Sequence, residues 1–192
     1  MVRTVTQDIQ LTPTSYIVLG LLDRAGEASP YQLTRLADAS VGNFWSLPRS
    51  QLYSEPARLA RAGYLSEEQE QSGRRRKRYV LTERGSHALR RWTEEPTYDY
   101  PELRDPSLLK IFFGADPQAM AAAQLSTLLP LLAKFEEMRA KDTGDGPDGP
   151  RQTLQVGIDH VETSIRAWER IARECSDADE VAVEQALTPA VT

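Results

Sequence analysis

Five consecutive cations, Arg74, Arg75, Arg76, Lys77 and Arg78, follow a Ser72-Gly73 pair. Like charges crowded on one turn repel one another, so an anionic partner is the economical reason to keep them together. Phosphate oxygens are such a partner, and each one neutralised steepens the log–log salt dependence of affinity by about 0.9. The plain alternative is a solvated hairpin tip, where Arg and Lys are common. What favours phosphate is the stretch just before. It reads as a helix over residues 48–62, with Leu52, Pro56 and Leu59 on one face by their 4 and 3 spacing. The opposite face carries Ser50, Ser54 and Arg61, with Arg58 beside them. A small, polar, cationic face is what a helix lying in the major groove of DNA presents. No Asn and no second Gln lies on that face, so bidentate amide readout of adenine is poorly supplied.

Other chemistries lack their parts. The segment GDGPDG follows no predicted strand and reads as a turn between helices, not a phosphate-cradling loop. His87 and His160 fall on different predicted helices, without the carboxylate spacing of a metal site, so neither a metal nor a cofactor is expected. Cys175 is the only cysteine, which excludes an internal disulfide and a cysteine-based zinc site. Its place on an apolar seam suits a buried thiol better than a redox sensor. Trp92 and Trp168 are read first as core anchors, and second as flat groups able to sandwich a planar aromatic effector near a dimer interface. No enzyme is expected.

The elements that must position these residues are marked by caps and breakers. Thr12-Pro13 and Ser29-Pro30 are N-cap-then-proline starts of two short helices, with Gly26 stopping the first. Ile17, Val18, Leu21 and Leu22 of the first, and Leu33, Leu36 and Ala37 of the second, are the expected core, with Phe44 and Trp45 of the connector packed underneath. Gly63 stops the third helix, inside which Pro56 removes one backbone bond and predicts a kink or a tightened first turn. Strands are expected from Tyr64 to about Gln69 and from Lys77 to Leu81, and Thr82 caps a further helix. A Pro-rich linker, PTYDYPELRDP, leads to a helical second half.

That half carries two apolar seams. Ala121, Leu125, Leu128, Leu132 and Phe135 alternate by 4 and 3, with a kink expected at Pro130. Leu154, Ile158, Val161, Ile165, Trp168, Ala172 and Cys175 continue the same rhythm on the last helix, in the coiled-coil manner. Seams this long and apolar predict a dimer, with Leu125, Leu128, Leu132, Phe135, Leu154, Ile158, Val161, Ile165 and Trp168 at the interface. Charge divides the same way. Residues 1–100 hold 14 Lys/Arg against 12 Asp/Glu, residues 101–192 hold 9 against 16, and +2 and −7 sum to the net −5. A basic working face on an acidic, solvated body follows. No apolar run reaches the roughly 18–20 residues of a membrane span, and the N-terminus lacks a leader's apolar core, so a cytoplasmic protein without membrane contact is expected.

Taken in order, TSYIVLGLL, SPYQLTRL, SQLYSEPARLARAGYL and GRRRKRYVLTERGSHALRRW resemble the PadR-like transcriptional regulators over about the first 95 residues. The continuation, LRDPSLLKIFFGA with two long helices, resembles the virulence activator alpha branch. The resemblance implies a mainly α fold with a small β-hairpin wing. A winged helix-turn-helix (residues 1–95) would precede an antiparallel helical dimerisation domain (96–177) and a disordered tail (178–192). It further implies a homodimer on a palindromic operator in double-stranded DNA, usually as a repressor, sometimes released by a small aromatic compound. Ser50, Gln51 and Tyr53 stand where that family's recognition helix meets DNA, and Arg74 to Lys77 stand on its wing. The chain departs from the commoner pattern at Ser54 and Pro56, where many members carry Pro and Leu. Two other readings stay open: a winged-helix adaptor whose basic wing meets an acidic protein, and a ligand-binding helical protein with vestigial DNA contact.

Overall fold

The computed structural model describes residues 9–69, 77–99 and 101–187, with side chains as far as Cys175. The chain divides into two compact units, residues 1–100 and 101–192.

The first unit begins with α1 (Pro13–Ala25), which starts where its cap dictates. The Thr12 hydroxyl accepts from the Ser15 N–H, and the Ser15 hydroxyl accepts in return from the Thr12 N–H at 2.9 Å. Gly26, at φ 74°, ends the helix in a conformation that favours glycine. Ser29 and Gln32 form the same reciprocal box at the head of α2 (Pro30–Asp38). A 3₁₀ turn (Val41–Asn43) leads to α3 (Arg49–Arg61), and Gly63 at φ 77° ends that helix. Two strands, β2 (Leu65–Gln69) and β3 (Lys77–Leu81), then form an antiparallel pair with Leu65 opposite Leu81 and Gln69 opposite Lys77. The unit closes with α4 (Glu83–Glu94). The Thr82 hydroxyl holds its first turn, accepting from the Gly85 N–H at 3.1 Å and donating to the Gly63 carbonyl oxygen at 2.8 Å. Gly85 is required here, because a Cβ would come within 2.2 Å of the Tyr64 carbonyl oxygen.

One strand was not anticipated. β1 (Glu27–Ala28) pairs antiparallel with the far edge of β3, giving the sheet order β1-β3-β2. Two residues between a glycine stop and a Ser-Pro start are too few to show an alternating pattern. One cluster fills this unit: Val18, Leu19 and Leu22 of α1, Leu33 and Ala37 of α2, Leu52 and Leu59 of α3, and Tyr79 of β3. Each leucine so buried contributes about 1.5–3 kcal/mol relative to exposure.

Several expectations for this unit are corrected. Phe44 and Trp45 do not pack underneath; they are 60% and 45% exposed. Val41 and Leu47 rest against the core instead, because the 3₁₀ turn folds the Phe44 and Trp45 N–H groups back onto the Val41 carbonyl. Leu36 lies at the edge of the α2 stripe and is partly exposed. As expected, the helix continues through Pro56, whose ring is buried with Leu52 and Leu59. Packing of that apolar face offsets the missing backbone bond.

The second unit holds α5 (Pro106–Phe112), α6 (Pro117–Ala140) and α7 (Asp148–Leu187). The two seams face each other within the one chain. Phe135, Ile158, Val161 and Ile165 are buried together, with Leu125, Leu128, Leu132 and Leu154 packed against them, and Trp168 is buried as well. A helical hairpin satisfies two 4–3 seams by setting them face to face, which the spacing alone does not distinguish from pairing between chains. α6 runs through Pro130, and α7 continues to Leu187, past the expected start of a disordered tail at 178. SDADEVAVEQAL contains neither Gly nor Pro and is rich in Ala and Glu, so its propensity supports the longer helix. Residues 188–192 lie outside the described residues. Among the described residues no helix is long and apolar enough to cross a membrane.

Candidate nucleic-acid interface

α3 is fastened to the first unit by its back. Leu52, Pro56 and Leu59 are buried, while Ser50, Gln51, Tyr53, Ser54 and Arg61 stand exposed on the other side. The structure therefore gathers five of the six predicted α3 residues on one accessible surface. Of these, Arg61 turns its Nε to the Ala57 carbonyl oxygen at 3.3 Å, and Gln51 has its Oε1 engaged by the Thr14 hydroxyl at 2.8 Å.

Arg58 is the exception. Its guanidinium grips Glu55 bidentately, Nε to Oε2 at 2.8 Å and Nη2 to Oε1 at 2.6 Å. It also donates to the Ser15 hydroxyl at 3.0 Å and to the Gln10 carbonyl oxygen at 3.3 Å. The fully buried Ser15 hydroxyl donates to Glu55 Oε1 at 2.6 Å. Arg58 thus joins α3 to α1 instead of facing outward. A planar fork matched to a carboxylate is the strong form of such a bond. Burial pushes the Glu55 carboxyl upward, but the bonds from Arg58 and Ser15 and the Arg58 charge outweigh it, so the group titrates below the usual carboxylate value. Thr14, Ser15 and Glu55 join α3 to α1, and sequence reasoning passed them over. Ser15 and Glu55 lie 40 positions apart, and the only local signal was a serine and a glutamate at positions that pack inward.

The base of the wing is also ion-paired. Lys77 Nζ lies 2.7 Å from Glu67, and Arg78 pairs with Glu27 across the sheet. The bond from Lys77 is the main reason the Glu67 carboxyl titrates low. The Tyr79 hydroxyl donates to Glu67 at 3.0 Å, and burial together with that carboxylate pushes its pKa up to about 12. Pairs this exposed are worth about 0–1 kcal/mol, so a phosphate can replace either carboxylate at small cost. Arg74, Arg75 and Arg76 lie outside the described residues.

Trp92 is 46% exposed, with one face covered by Tyr16 in a parallel stack of 4.6 Å between centroids and 7° between planes. Trp168 is buried in the second unit, a core anchor rather than an exposed stacking group. Among the described residues no group of three His, Cys, Asp or Glu side chains is placed to hold a metal ion.

Two short helices, a third with an open polar face and a three-stranded sheet ending in a basic hairpin together define a winged helix-turn-helix. Residues 18–91 match the transcriptional regulator PadR-like family. That match lies within the N-terminal unit and makes it similar to regulators of this family. The negative transcriptional regulator PadR of Bacillus subtilis (strain 168) is 33% identical over 100 residues, 51% of this chain. The match spans about half, 54%, of that relative. The crystal structure of Bacillus subtilis PadR with operator DNA superimposes with a TM-score of 0.74 at 24% identity, covering 86% of this chain and 99% of that one. The same regulator with p-coumaric acid gives a TM-score of 0.66 at 24% identity, over 85% and 97% of the two chains. The Vibrio cholerae virulence activator AphA gives 0.67 at 22%, over 86% and 99%. At these identities the solved structures establish the shared fold.

The partly buried ion pair makes a prediction about pH. Because the native carboxyl titrates low, the stability Glu55 contributes is complete above the ordinary value of 4.5 and is lost as pH falls through its lower native value. Glu55→Gln will cost about 2 kcal/mol in chemical denaturation at pH 7. The gap from the parent protein will narrow as pH falls below 4.5.

Proposed function

We propose that this protein is a sequence-specific DNA-binding regulator that acts as a homodimer on a palindromic operator, as a repressor. α3 enters the major groove with Ser50, Gln51, Tyr53, Ser54 and Arg61 toward the bases, and the run from Arg74 to Lys77 lies along the phosphates. The observation that carries this reading is the open polar face of a helix locked to its core by an ion pair, followed by five consecutive cations. Base contacts on such a helix select sequence, while the wing's phosphate contacts supply affinity. The relative's name, a negative transcriptional regulator, and the neighbour solved on operator DNA support it.

With both seams engaged inside the chain, the surface for a second copy is α5. Phe112 and Phe113 are 81% and 78% exposed, and Leu108 and Leu109 stand exposed beside them. Three large apolar side chains left to water on a seven-residue helix, and a fourth at its C-cap, call for a partner. A symmetric dimer places two reading helices for half-sites roughly 34 Å apart. A small planar aromatic compound is the effector class, supported by the neighbour bound to p-coumaric acid. Trp92, partly exposed and stacked on Tyr16, is the residue available to it.

Two experiments test this. Fluorescence anisotropy on DNA from upstream of the protein's own gene, in excess random competitor, will show tight and salt-sensitive binding. Arg75→Ala/Arg76→Ala will weaken it and lower the log–log salt slope by about 2. Binding no better than to random DNA, unchanged in that variant, would favour the adaptor reading. In sedimentation velocity the parent protein will run as a dimer and Phe112→Asp/Phe113→Asp as a folded monomer. A variant that stays dimeric would rule out α5 as the interface.

A further inference from the structure

The engagement of Gln51 has a chemical consequence. A glutamine in the major groove reads adenine by using both ends of its carboxamide, the oxygen accepting from N6 and the nitrogen donating to N7. Here the oxygen already accepts one bond, since the Thr14 hydroxyl donates to Gln51 Oε1 at 2.8 Å, so an acceptor contact to adenine N6 would have to share it. The NH₂ end can meet a base with both its donors. The edge that offers two acceptors side by side is guanine, at N7 and O6.

The Thr14–Gln51 bond is exposed, and in water such a bond is weak. Its surroundings fix it in place. Gln51, Glu55 and Arg58 are spaced 4 and 3 along α3 and form one stripe, and Thr14 and Ser15 are neighbours at the head of α1. One and two turns along α3 from Gln51, Glu55 and Arg58 are both bonded to Ser15. That buried network sets the rotation and register of α3 against α1, so the Thr14 hydroxyl and the Gln51 oxygen are held in reach of each other. When DNA expels water from the site, the bond gains strength from the lower local dielectric.

We infer that Thr14 is a specificity-determining positioning residue: by engaging the oxygen of Gln51, it orients that side chain to present its NH₂ donors and so favours guanine over adenine. The inference rests on α3 being the recognition helix. Thr14 touches no base in this scheme and acts only through Gln51. Thr14→Val keeps the shape and removes the donor, which frees Gln51 Oε1 for bidentate pairing with adenine. Thr14→Ser keeps the donor.

The test is in vitro selection from a random double-stranded DNA library by the full-length protein and its Thr14→Val, Thr14→Ser and Gln51→Ala variants, with melting temperatures measured in parallel. The parent will enrich a motif with guanine at one position of each half-site, favoured over adenine by about tenfold. Thr14→Val will move that position toward adenine, Thr14→Ser will keep guanine, and Gln51→Ala will lose the preference there. All other positions and the melting temperatures will stay unchanged. If the parent enriches no motif, the DNA-reading function itself fails and this inference with it. If the parent enriches a motif that Thr14→Val leaves the same at every position, or weakens without changing any base, the regulator stands and the role of Thr14 is overturned. A Gln51-dependent position that prefers adenine in the parent would also overturn it.

Discussion

The first unit depends on one bidentate ion pair placed under a serine hydroxyl. Arg58 and Glu55 lie on the same helix, three residues apart, and could satisfy each other anywhere in solution. What gives the pair structural meaning is Ser15, whose fully buried hydroxyl donates to Glu55 and accepts from Arg58. A charge removed from water needs its partners fixed, so α3 cannot rotate on α1 without leaving a buried carboxylate exposed to an apolar core. The apolar contacts of Leu52 and Leu59 say only which face turns inward. The ion pair says how far along α1 the helix sits, and thereby which side chains look outward.

The same constraint separates residues that hold the helix from residues free to meet a ligand. Gln51, Glu55 and Arg58 lie on the stripe toward the head of α1, and Leu52, Pro56 and Leu59 on the stripe toward the core. Ser50, Tyr53, Ser54 and Arg61, with the NH₂ end of the exposed Gln51, are what remains, a surface of small hydroxyls, one half-exposed ring, one amide and one guanidinium. Such a surface has room for base edges and little apolar area to hold a protein partner. The wing follows a similar logic. Its cations pair with carboxylates where it joins the sheet, at Glu67 and Glu27, and the pairs are exposed enough to exchange.

Much of this fold was readable from local chemistry, because caps, proline starts and glycine stops act within four residues. Thr12, Ser29, Gly26, Gly63 and Thr82 all mark the boundaries they were expected to mark. What escaped were relationships between distant residues. β1 was too short to show a period, and Phe44 and Trp45 were assigned to the core on hydrophobicity although the turn directs Val41 there instead. Arg58 looked like a groove-facing cation because its spacing puts it near Arg61, and only the placement of Ser15 shows why it turns inward. The seams of α6 and α7 have the rhythm of a coiled coil, which is silent on whether the partner helix belongs to the same chain. Exposed Phe112 and Phe113 were legible as apolar but not as unpartnered.

Whether α3 lies in the major groove is decided most directly by methylation protection. Dimethyl sulfate modifies guanine N7 in the major groove and adenine N3 in the minor groove, so one bound DNA fragment reports both. With the protein on a fragment enriched by selection, guanine N7 positions will be protected in two clusters about one helical turn apart, roughly 34 Å. Protection confined to adenine N3, with every guanine N7 as reactive as in free DNA, would contradict a reading helix in the major groove.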